Sequence, residues 1–122
     1  MRVLCVEDDA DIRAVAELAL VDVGGCDVKM CESGRQALVE APEFQPDVIL
    51  LDVMMPEMDG PETLRALRKL DGLAAVPVIF MTARIQGGEI QEYLAMGAVD
   101  VIPKPFDPMI LADEVRAILA AQ

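Results

Sequence analysis

Short apolar, β-branched runs alternate along this chain with longer segments whose apolar residues recur at helical spacing. This alternation constrains the fold most, because repeated strand–helix units build a parallel sheet with helices on both faces. The clearest strand is Asp47–Asp52, whose unbroken apolar interior is typical of a strand buried on both faces in the middle of such a sheet. We therefore predict the α/β class, with a doubly wound sheet of five parallel strands.

The predicted elements follow one another without a linker or a repeat. The strands are Arg2–Glu7, Val28–Cys31, Asp47–Asp52, Pro77–Thr82 and Val99–Ile102. The helices are Asp11–Val21, a second that opens at Ser33 and carries Ala41, Pro61 to about Leu70, about Glu89 to Met96, and a last one capped by Asp107 and ending near Ala120. We interpret Ser33–Gln36 as a capping box and Gly87-Gly88 as a break before the fourth helix.

Length and charge narrow the class of protein. At 122 residues the chain has the size of one domain, so we expect a single domain over residues 1–122 with no effector domain attached. The formal charge of −12 argues against direct binding of DNA or RNA, which depends on cations that neutralise phosphates. No signal peptide is visible and no apolar stretch approaches the roughly 20 residues that cross a bilayer, so we expect a cytoplasmic protein. The cysteines Cys5, Cys26 and Cys31 lack metal-binding spacing and are expected to be buried and reduced.

Polar side chains gather at the predicted carboxyl ends of the strands, where open parallel sheets bind ligands. These side chains are Glu7, Asp8 and Asp9 after the first strand, Asp52 at the third, Thr82 at the fourth, and Lys104 after the fifth. Carboxylates about 4 Å apart repel by several kcal/mol at an intermediate dielectric, so either an acid takes up a proton or a cation binds. Mg²⁺ prefers one or two carboxylates with water and phosphate oxygens. Glu7, Asp8 and Asp52 fit it as ligands, with the backbone carbonyl of Met54 as a further candidate.

Two further side chains indicate that the ligand beside the metal is a phosphoryl group. Lys104 offers a mobile positive charge to a phosphoryl oxygen, and Thr82 offers a hydroxyl donor. Each site residue taken alone has an ordinary structural explanation, such as a turn residue or a solvated helix start. Their conjunction at the ends of four strands predicts a site for Mg²⁺ and phosphate.

Four motifs at these strand ends occur together and in order. They are Val6-Glu7-Asp8-Asp9, then Leu50-Leu51-Asp52-Val53-Met54-Met55-Pro56 with Asp59-Gly60, then Met81-Thr82-Ala83, and finally Lys104-Pro105-Phe106. In this order and spacing they resemble the receiver domains of bacterial response regulators, the CheY-like family of two-component signalling. The resemblance extends from Arg2 to about Ala120. It implies a flavodoxin-like (βα)5 fold with strand order 2-1-3-4-5.

The resemblance also implies a role for each site residue. Asp52 is expected to accept a phosphoryl group, Asp8 to bind Mg²⁺ directly and Glu7 to bind it mainly through water. Lys104 is expected to contact the phosphoryl group, and its peptide bond to Pro105 to be cis, an isomer largely confined to proline.

The implied function is a phosphoacceptor switch in a phosphorelay. A phosphohistidine on a sensor histidine kinase or a histidine phosphotransfer protein would supply the phosphoryl group, so the lack of histidine in this chain is no obstacle. Thr82 would then move to the phosphate and change the face formed by the fourth helix, the fifth strand and the last helix, which signals to a downstream protein target. Such a protein catalyses its own phosphorylation and slow dephosphorylation, and we do not expect a turnover enzyme for an external substrate.

Several positions deserve separate predictions. Many family members carry Tyr or Phe three residues before the lysine, but this chain has Val101, which puts a rotating aromatic switch in doubt. Tyr93 is expected on the surface of the fourth helix, with an interface anchor as the alternative. Met54 and Arg84 flank the phosphate in the family, and we hypothesise that they tune the access of water to phosphorylated Asp52.

Three other functions compete with this one. A haloacid-dehalogenase-like phosphatase needs a second Asp two residues after its nucleophile, where this chain has Met54. A flavodoxin-like electron carrier needs a Ser/Thr-rich phosphate loop and flavin-stacking aromatics, whereas the first loop here is acidic and Trp is absent. A receiver-fold binding module that works without phosphorylation would keep the same fold, and the complete set of acids, Thr82 and Lys104 favours the switch over it.

Overall fold

In the computed structural model, which describes residues 1–83 and 85–122, strands and helices alternate as the sequence predicts. The elements are β1 (Arg2–Val6), α1 (Ala10–Glu17), a π-helix (Leu18–Val23), β2 (Asp27–Cys31), α2 (Gly34–Phe44), β3 (Val48–Asp52), α3 (Gly60–Leu67), β4 (Val78–Thr82), α4 (Gly87–Ala95), β5 (Asp100–Pro103) and α5 (Leu111–Ala120). All strand pairs are parallel, in the order β2-β1-β3-β4-β5. The predicted fold and strand order are therefore confirmed.

The core consists of two layers on opposite faces of the sheet. Every residue of β3 and β4 is buried, as the unbroken apolar run indicates. Because side chains alternate along a strand, Leu51 and Phe80 pack on the face covered by α2, α3 and α4, and Leu50 and Ile79 pack on the face covered by α1, the π-helix and α5. Each fully buried aliphatic side chain stabilises the fold by about 1.5–3 kcal/mol, so the central strands form a rigid base for the loops at their ends.

The three cysteines are buried and free, as predicted. Burial raises the pKa of Cys31 to about 11 and raises the pKa of Cys5 as well, so both thiols stay protonated at neutral pH. Within the described residues, no helix is long and apolar enough to cross a membrane.

The last helix begins later than predicted. Asp107 does not cap α5: its side chain accepts the N–H of Met109 at 2.9 Å, and its carbonyl accepts the N–H groups of Ile110 and Leu111 at 3.1 and 3.0 Å. A separate turn therefore precedes α5. The local hydrogen bonds of an Asx turn compete with a helix start, and here they postpone it to Leu111.

The fourth helix begins earlier than predicted, because the glycine pair is not a break. Gly87 and Gly88 form the first turn of α4. N–H groups in a first turn have no intrahelical partner in any case, and these two glycines are exposed at the helix start. Gln86 precedes them in an extended conformation and starts the helix without a side-chain cap.

The first helix also departs from a regular α-helix. After Glu17 it widens into the π-helix, and the N–H of Gly24 donates to the carbonyl of Ala19 at 3.0 Å. This turn places Gly24 against α5, where a Cβ on Gly24 would lie 2.4 Å from the Cβ of Ala112. Glycine at this position thus permits the close approach of the two elements.

The predicted capping box of α2 is only half formed. The Ser33 hydroxyl accepts the N–H of Gln36 at 3.1 Å, but the Gln36 side chain accepts the N–H of Glu32 at 2.8 Å instead of that of Ser33. A complete capping box occurs at α3, between Asp59 and Glu62. Both the half-formed and the complete box satisfy N–H groups at the start of a helix. The sequence motif alone could not distinguish one from the other.

Tyr93 lies in the core, so its predicted surface position and the alternative of an interface anchor are both wrong. The residue is 7% exposed, and its ring meets Phe80 of β4 edge-on with the ring centroids 5.4 Å apart. Tyr93 is the largest side chain of α4, and turning it toward the sheet buries more apolar area than the smaller residues around it could supply.

Candidate functional site

The candidate site lies at the carboxyl edge of the sheet, where the strand order reverses. β1 lies between β2 and β3, so Glu7 after β1 and Asp52 at the end of β3 emerge on the two sides of this switch point. Thr82 ends β4 and Lys104 follows β5. The fold therefore brings residues from four separate parts of the chain to one edge, as the sequence predicts.

Three acids form a cluster at this edge, which we call the acidic cluster: Glu7, Asp8 and Asp52. One carboxylate oxygen from each residue lies within 4.8 Å of the other two. Glu7 is 1% exposed and Asp52 is 2% exposed, whereas Asp8 faces solvent. Because two of the three acids are withdrawn from water, their mutual repulsion is larger than it would be on an open surface.

Lys104, which follows β5, contacts two members of the acidic cluster. Its Nζ donates a hydrogen bond to Glu7 Oε1 at 2.8 Å and lies 2.9 Å from Asp52 Oδ1. The N–H of Lys104 also donates to the carbonyl of Thr82 at 2.9 Å, which anchors the loop after β5 to the end of β4. The Lys104–Pro105 peptide bond is cis, as predicted.

The charges of these groups shift one another's protonation. Burial raises the pKa of Asp52 from 3.8 to about 7; the Lys104 ammonium opposes the rise, and the negative charge of Glu7 adds to it. Burial lowers the pKa of Lys104, but the hydrogen bonds and negative charges of Glu7 and Asp52 outweigh burial and raise it. Lys104 thus pairs with two of the three acids, Glu7 and Asp52, and among the described residues this one ammonium only partly compensates the charge of the acidic cluster.

Asp52 provides the observation that tests whether a divalent cation fits. Its Oδ1 is buried, and Lys104 Nζ is shared between this oxygen, at 2.9 Å, and Glu7 Oε1, at 2.8 Å. Two buried carboxylates that share one ammonium leave an excess of negative charge away from water, which is unfavourable. The donor set consists of carboxylate oxygens, the ligands that Mg²⁺ prefers. The acidic cluster therefore fits a hard divalent cation.

Arg13 of α1 is a site residue that the sequence analysis missed. Its Nη1 donates to the carbonyl oxygens of both Glu7 and Asp8, at 2.9 Å each. The next residue, Asp9, accepts the N–H of Asp11 at 2.9 Å and caps α1, so it is not part of the acidic cluster. Nothing in the local sequence marks Arg13, because its partners are main-chain carbonyls that any residue would provide.

Gly60 is a second residue that the sequence analysis left without a role of its own. A Cβ at this position would lie 2.6 Å from the carbonyl oxygen of Asp52 and 2.8 Å from the Cα of Val53. The N–H of Gly60 donates to the carbonyl of Val53 at 2.9 Å. Glycine therefore lets the start of α3 lie directly against the backbone that carries Asp52, which sets the height of this carboxylate at the sheet edge.

The remaining predicted positions differ in how closely they approach the site. Thr82 is buried, with 1% exposure, and its carbonyl is held by Lys104. The Met54 side chain is 60% exposed beside the site, and its carbonyl stays a predicted ligand. Arg84 lies outside the described residues. Val101 is half-buried and packs on the same side of the sheet as Tyr93, which leaves no aromatic ring at the position of the family switch.

The response regulator receiver domain model matches residues 3–116 of this chain. The chain belongs to this family. Among curated proteins it is similar to the DNA-binding response regulator MtrA of Mycobacterium leprae, with 38% identity over 118 residues, 97% of this chain and 51% of MtrA. It is also similar to the transcriptional regulatory protein CpxR of Escherichia coli, with 38% identity over 120 residues, 97% of this chain and 49% of CpxR. The receiver thus spans about half the length of these curated relatives.

Solved receiver structures superpose over nearly the whole chain. The chemotaxis protein CheY4 of Vibrio cholerae has a TM-score of 0.89 and 33% identity, and the match covers 96% of this chain and 97% of CheY4. A response regulator from Desulfuromonas acetoxidans has a TM-score of 0.86 and 27% identity, with 98% and 97% coverage. These matches cover 96% and 98% of the chain and agree with the sheet order observed here.

Proposed function

We propose that this receiver domain accepts a phosphoryl group on Asp52, with Mg²⁺ as cofactor, from the phosphohistidine of a sensor histidine kinase or a histidine phosphotransfer protein. The observation that carries the proposal is the buried Asp52 carboxylate, whose Oδ1 lies 2.9 Å from Lys104 Nζ in a cluster of three acids. The Asp52 carboxylate is thus held in place as a nucleophile, and the neighbouring ammonium of Lys104 can bind the phosphoryl oxygens.

The transfer requires positioning and charge neutralisation more than acid–base help. An oxygen of Asp52 forms a bond to phosphorus while the bond between phosphorus and the donor imidazole nitrogen breaks, and the imidazole retains the bonding electrons. Lys104 moves its ammonium from the Asp52 carboxylate to a phosphoryl oxygen, and Thr82 turns its hydroxyl toward another. When bound, Mg²⁺ would neutralise the acids and the phosphoryl oxygens, and Glu7, Asp8, Asp52 and the Met54 carbonyl would hold it.

A groove beside the site suits the approach of the donor protein. It has a volume of about 540 Å³ and is lined by Ile12 and Val15 of α1, by Ala83, and by the loop after β5 with Lys104, Pro105 and Phe106. The lining is mostly apolar, and Asp11 stands at its rim. An amphipathic helix of the donor could cover this groove and bring its phosphohistidine to Asp52, because Lys104 belongs both to the groove and to the site.

The output follows from a shift between two conformations rather than from catalysis on an external substrate. Phosphorylation adds negative charge and acceptor oxygens at the edge formed by Asp52 and Thr82. We propose that β4, α4, β5 and α5 respond and that their outer face contacts a downstream protein target. We propose a cytoplasmic signalling domain that does not itself touch DNA, although MtrA is named as DNA-binding, because the formal charge of −12 opposes contact with phosphates.

The direct test is the intact mass of the protein after incubation with acetyl phosphate. We expect the gain of one phosphoryl group in the presence of Mg²⁺, and no gain with EDTA or in the Asp52→Asn variant. A matched control is Asp47→Asn, which changes an acid at the other end of β3 and leaves the gain intact. If acetyl phosphate and a phosphorylated kinase both fail to modify the wild-type protein, the proposal is wrong, and a binding module that works without phosphorylation takes its place.

A further inference from the structure

Among the described residues of α1, only Arg13 has a side chain that donates to the backbone of Glu7 and Asp8, the segment that we call the acidic loop. One nitrogen, Nη1, donates to the carbonyls of Glu7 and Asp8, with both distances at 2.9 Å. The other terminal nitrogen lies 3.8 Å from Glu32 Oε2, a loose and solvent-exposed ion pair. The guanidinium is thus held mainly by the two carbonyls, and it holds them in turn.

These two carbonyls belong to the residues whose carboxylates join the acidic cluster with Asp52. Glu7 is buried and Asp8 is exposed, so the backbone between them directs the two side chains to different environments while one oxygen of each stays within 4.8 Å of the other. Glu7 is held at its far end by Lys104 and by the N–H of Asp9, at 3.2 Å. For the Asp8 side chain, no such anchor exists among the described contacts.

Backbone hydrogen bonds hold the residues on either side, from the N–H of Glu7 to the carbonyl of Cys31 at 3.0 Å and from the N–H of Arg13 to the carbonyl of Asp9 at 2.9 Å. At Asp8 itself, the only side-chain hydrogen bond among the described contacts is the one from Arg13 to the Asp8 carbonyl.

We infer that Arg13 is a positioning residue for the metal: it holds the Glu7–Asp8 backbone so that both carboxylates converge on the cation with Asp52. The inference rests on the proposed function, since it concerns the same Mg²⁺ site. It adds a residue that touches neither the phosphoryl group nor the ion. Charge-assisted hydrogen bonds to main-chain carbonyls are stronger than neutral ones, which suits a restraint that must persist while the ligands rearrange.

Electrostatics and positioning predict opposite signs for the loss of Arg13. A guanidinium close to a cation site repels the cation, so removing it should tighten Mg²⁺ binding if charge alone matters. If instead the guanidinium orders the ligands, removing it should weaken binding, because the ion must then order the loop itself. The sign of the change in affinity therefore separates the two roles.

The experiment measures the Kd for MgCl₂ by titration calorimetry on the full chain, with thermal unfolding in EDTA as the check of folding. We expect Arg13→Ala to raise the Kd on the order of tenfold, because both charged hydrogen bonds to the loop carbonyls are lost and the ion must order the loop itself. Arg13→Lys keeps the charge and can still donate to a carbonyl, so it should recover part of the affinity. Glu32→Gln is the matched control; it removes the loose ion pair and should leave the Kd unchanged.

Unchanged or tighter binding in Arg13→Ala would overturn the inference. Should Arg13→Ala fail to fold, Arg13→Gln retains an amide donor without the charge and permits the same comparison with Arg13→Lys. A wild-type protein that binds no Mg²⁺ would instead contradict the proposed function. A second readout follows from the same logic: the slower phosphorylation of Arg13→Ala by acetyl phosphate should return to the wild-type rate at saturating Mg²⁺, since Arg13 touches none of the reacting atoms.

Discussion

Charged residues at the amino ends of the strands are exposed, whereas two acids at the carboxyl ends are buried; we call these two sides of the sheet the amino edge and the carboxyl edge. At the amino edge, Arg2 pairs with Asp27, its N–H donates to Asp47 at 2.8 Å, and its Nε donates to the carbonyl of Phe44 at 3.0 Å. The guanidinium carbon also lies 4.1 Å from the centroid of the Phe44 ring. Arg2 and Asp27 are 43% and 62% exposed, so water shares in their solvation. This edge satisfies its charges within the protein and needs no ligand.

At the carboxyl edge the charges are buried and only partly compensated. Glu7 and Asp52 are almost fully withdrawn from water, and among the described residues they share one cationic partner, Lys104. The ion pair at the amino edge is exposed and contributes little, whereas the buried acids at the carboxyl edge repel one another, and we propose that a bound cation relieves this repulsion. Local instability of this kind in an otherwise well-packed fold is the physical mark of a functional site.

The largest expected change in stability comes from replacing the basic side chain at each edge, Lys104 at the carboxyl edge and Arg2 at the amino edge. In EDTA at pH 8, Lys104→Met should lower the free energy of unfolding by about 3–4 kcal/mol, because two buried carboxylates lose their partner. Arg2→Met should cost about 1 kcal/mol, because its ion pair is exposed. Urea denaturation measures both. Added Mg²⁺ should reduce the loss in Lys104→Met and leave Arg2→Met unaffected. Equal losses in the two variants would remove the contrast between the edges.

The second expected effect is a gain in stability, and it comes from removing the Asp52 carboxylate. The size of this gain depends on pH. Because burial raises the pKa of Asp52 from 3.8 to about 7, the folded protein binds this proton more tightly than the unfolded chain does. In the absence of metal, the contribution of Asp52 to stability should be greatest below the unfolded value. It should decline as the pH rises through this interval and level off above the folded value.

Asp52→Asn should remove this decline and stabilise the metal-free protein by roughly 2 kcal/mol at pH 8. The gain should vanish near pH 4, where both proteins are neutral at this position. Parallel urea titrations of wild type and variant across this range isolate the contribution of Asp52 from that of the other acids. If the two pH profiles are parallel, the carboxylate is not destabilised by its surroundings and the comparison of the two edges is wrong.

A third effect comes from the backbone beneath the site. Gly60→Ala should destabilise the protein by about 1–2 kcal/mol, because its Cβ would meet the carbonyl of Asp52 and the Cα of Val53. The matched control is Gly88→Ala in the first turn of α4, where a Cβ has no neighbour within 4 Å and should be neutral or stabilising. Thermal unfolding and the rate of phosphorylation by acetyl phosphate check both. A Gly60→Ala protein with wild-type stability and rate would show that the backbone there yields freely.

The sequence predicted most of the fold because its signals were local and repeated. The apolar run of β3 and the alternation of strands and helices identify a parallel sheet, and the ends of four strands identify Glu7, Asp52, Thr82 and Lys104 as neighbours. The strand order came from the resemblance to receivers. Helix boundaries were less predictable: the Asx turn at Asp107 and the π-helix after α1 depend on hydrogen bonds that composition does not encode.

The missed site residues share one physical property. Arg13 donates to main-chain carbonyls, and Gly60 is required because two backbone segments approach closely. Neither partner carries a side-chain signal, so a search for chemical groups at strand ends does not find them. The position of Tyr93 was wrong for a related reason: only the packing of α4 on β4 shows that its ring faces Phe80.

The smallest effect concerns the lifetime of the phosphorylated state and sharpens the comparison at the open side of the carboxyl edge. Met54 is 60% exposed and stands two residues after Asp52, where we expect an apolar side chain to hinder water that would attack the phosphoryl group. Met54→Asn should therefore speed dephosphorylation on the order of threefold, a change of about 0.7 kcal/mol in the barrier.

The decay of the phosphorylated mass after removal of acetyl phosphate measures this rate, and Met109→Asn, at another exposed methionine far along the chain, provides the control. Stability should not change in Met54→Asn, since the side chain is mostly in water in both the folded and the unfolded protein. A lifetime equal to that of the wild type would mean that water reaches the phosphoryl group by another path, past Thr82 and Ala83. In that case the buried acids and Lys104, and not the exposed Met54 side chain, would determine the lifetime of the phosphorylated state.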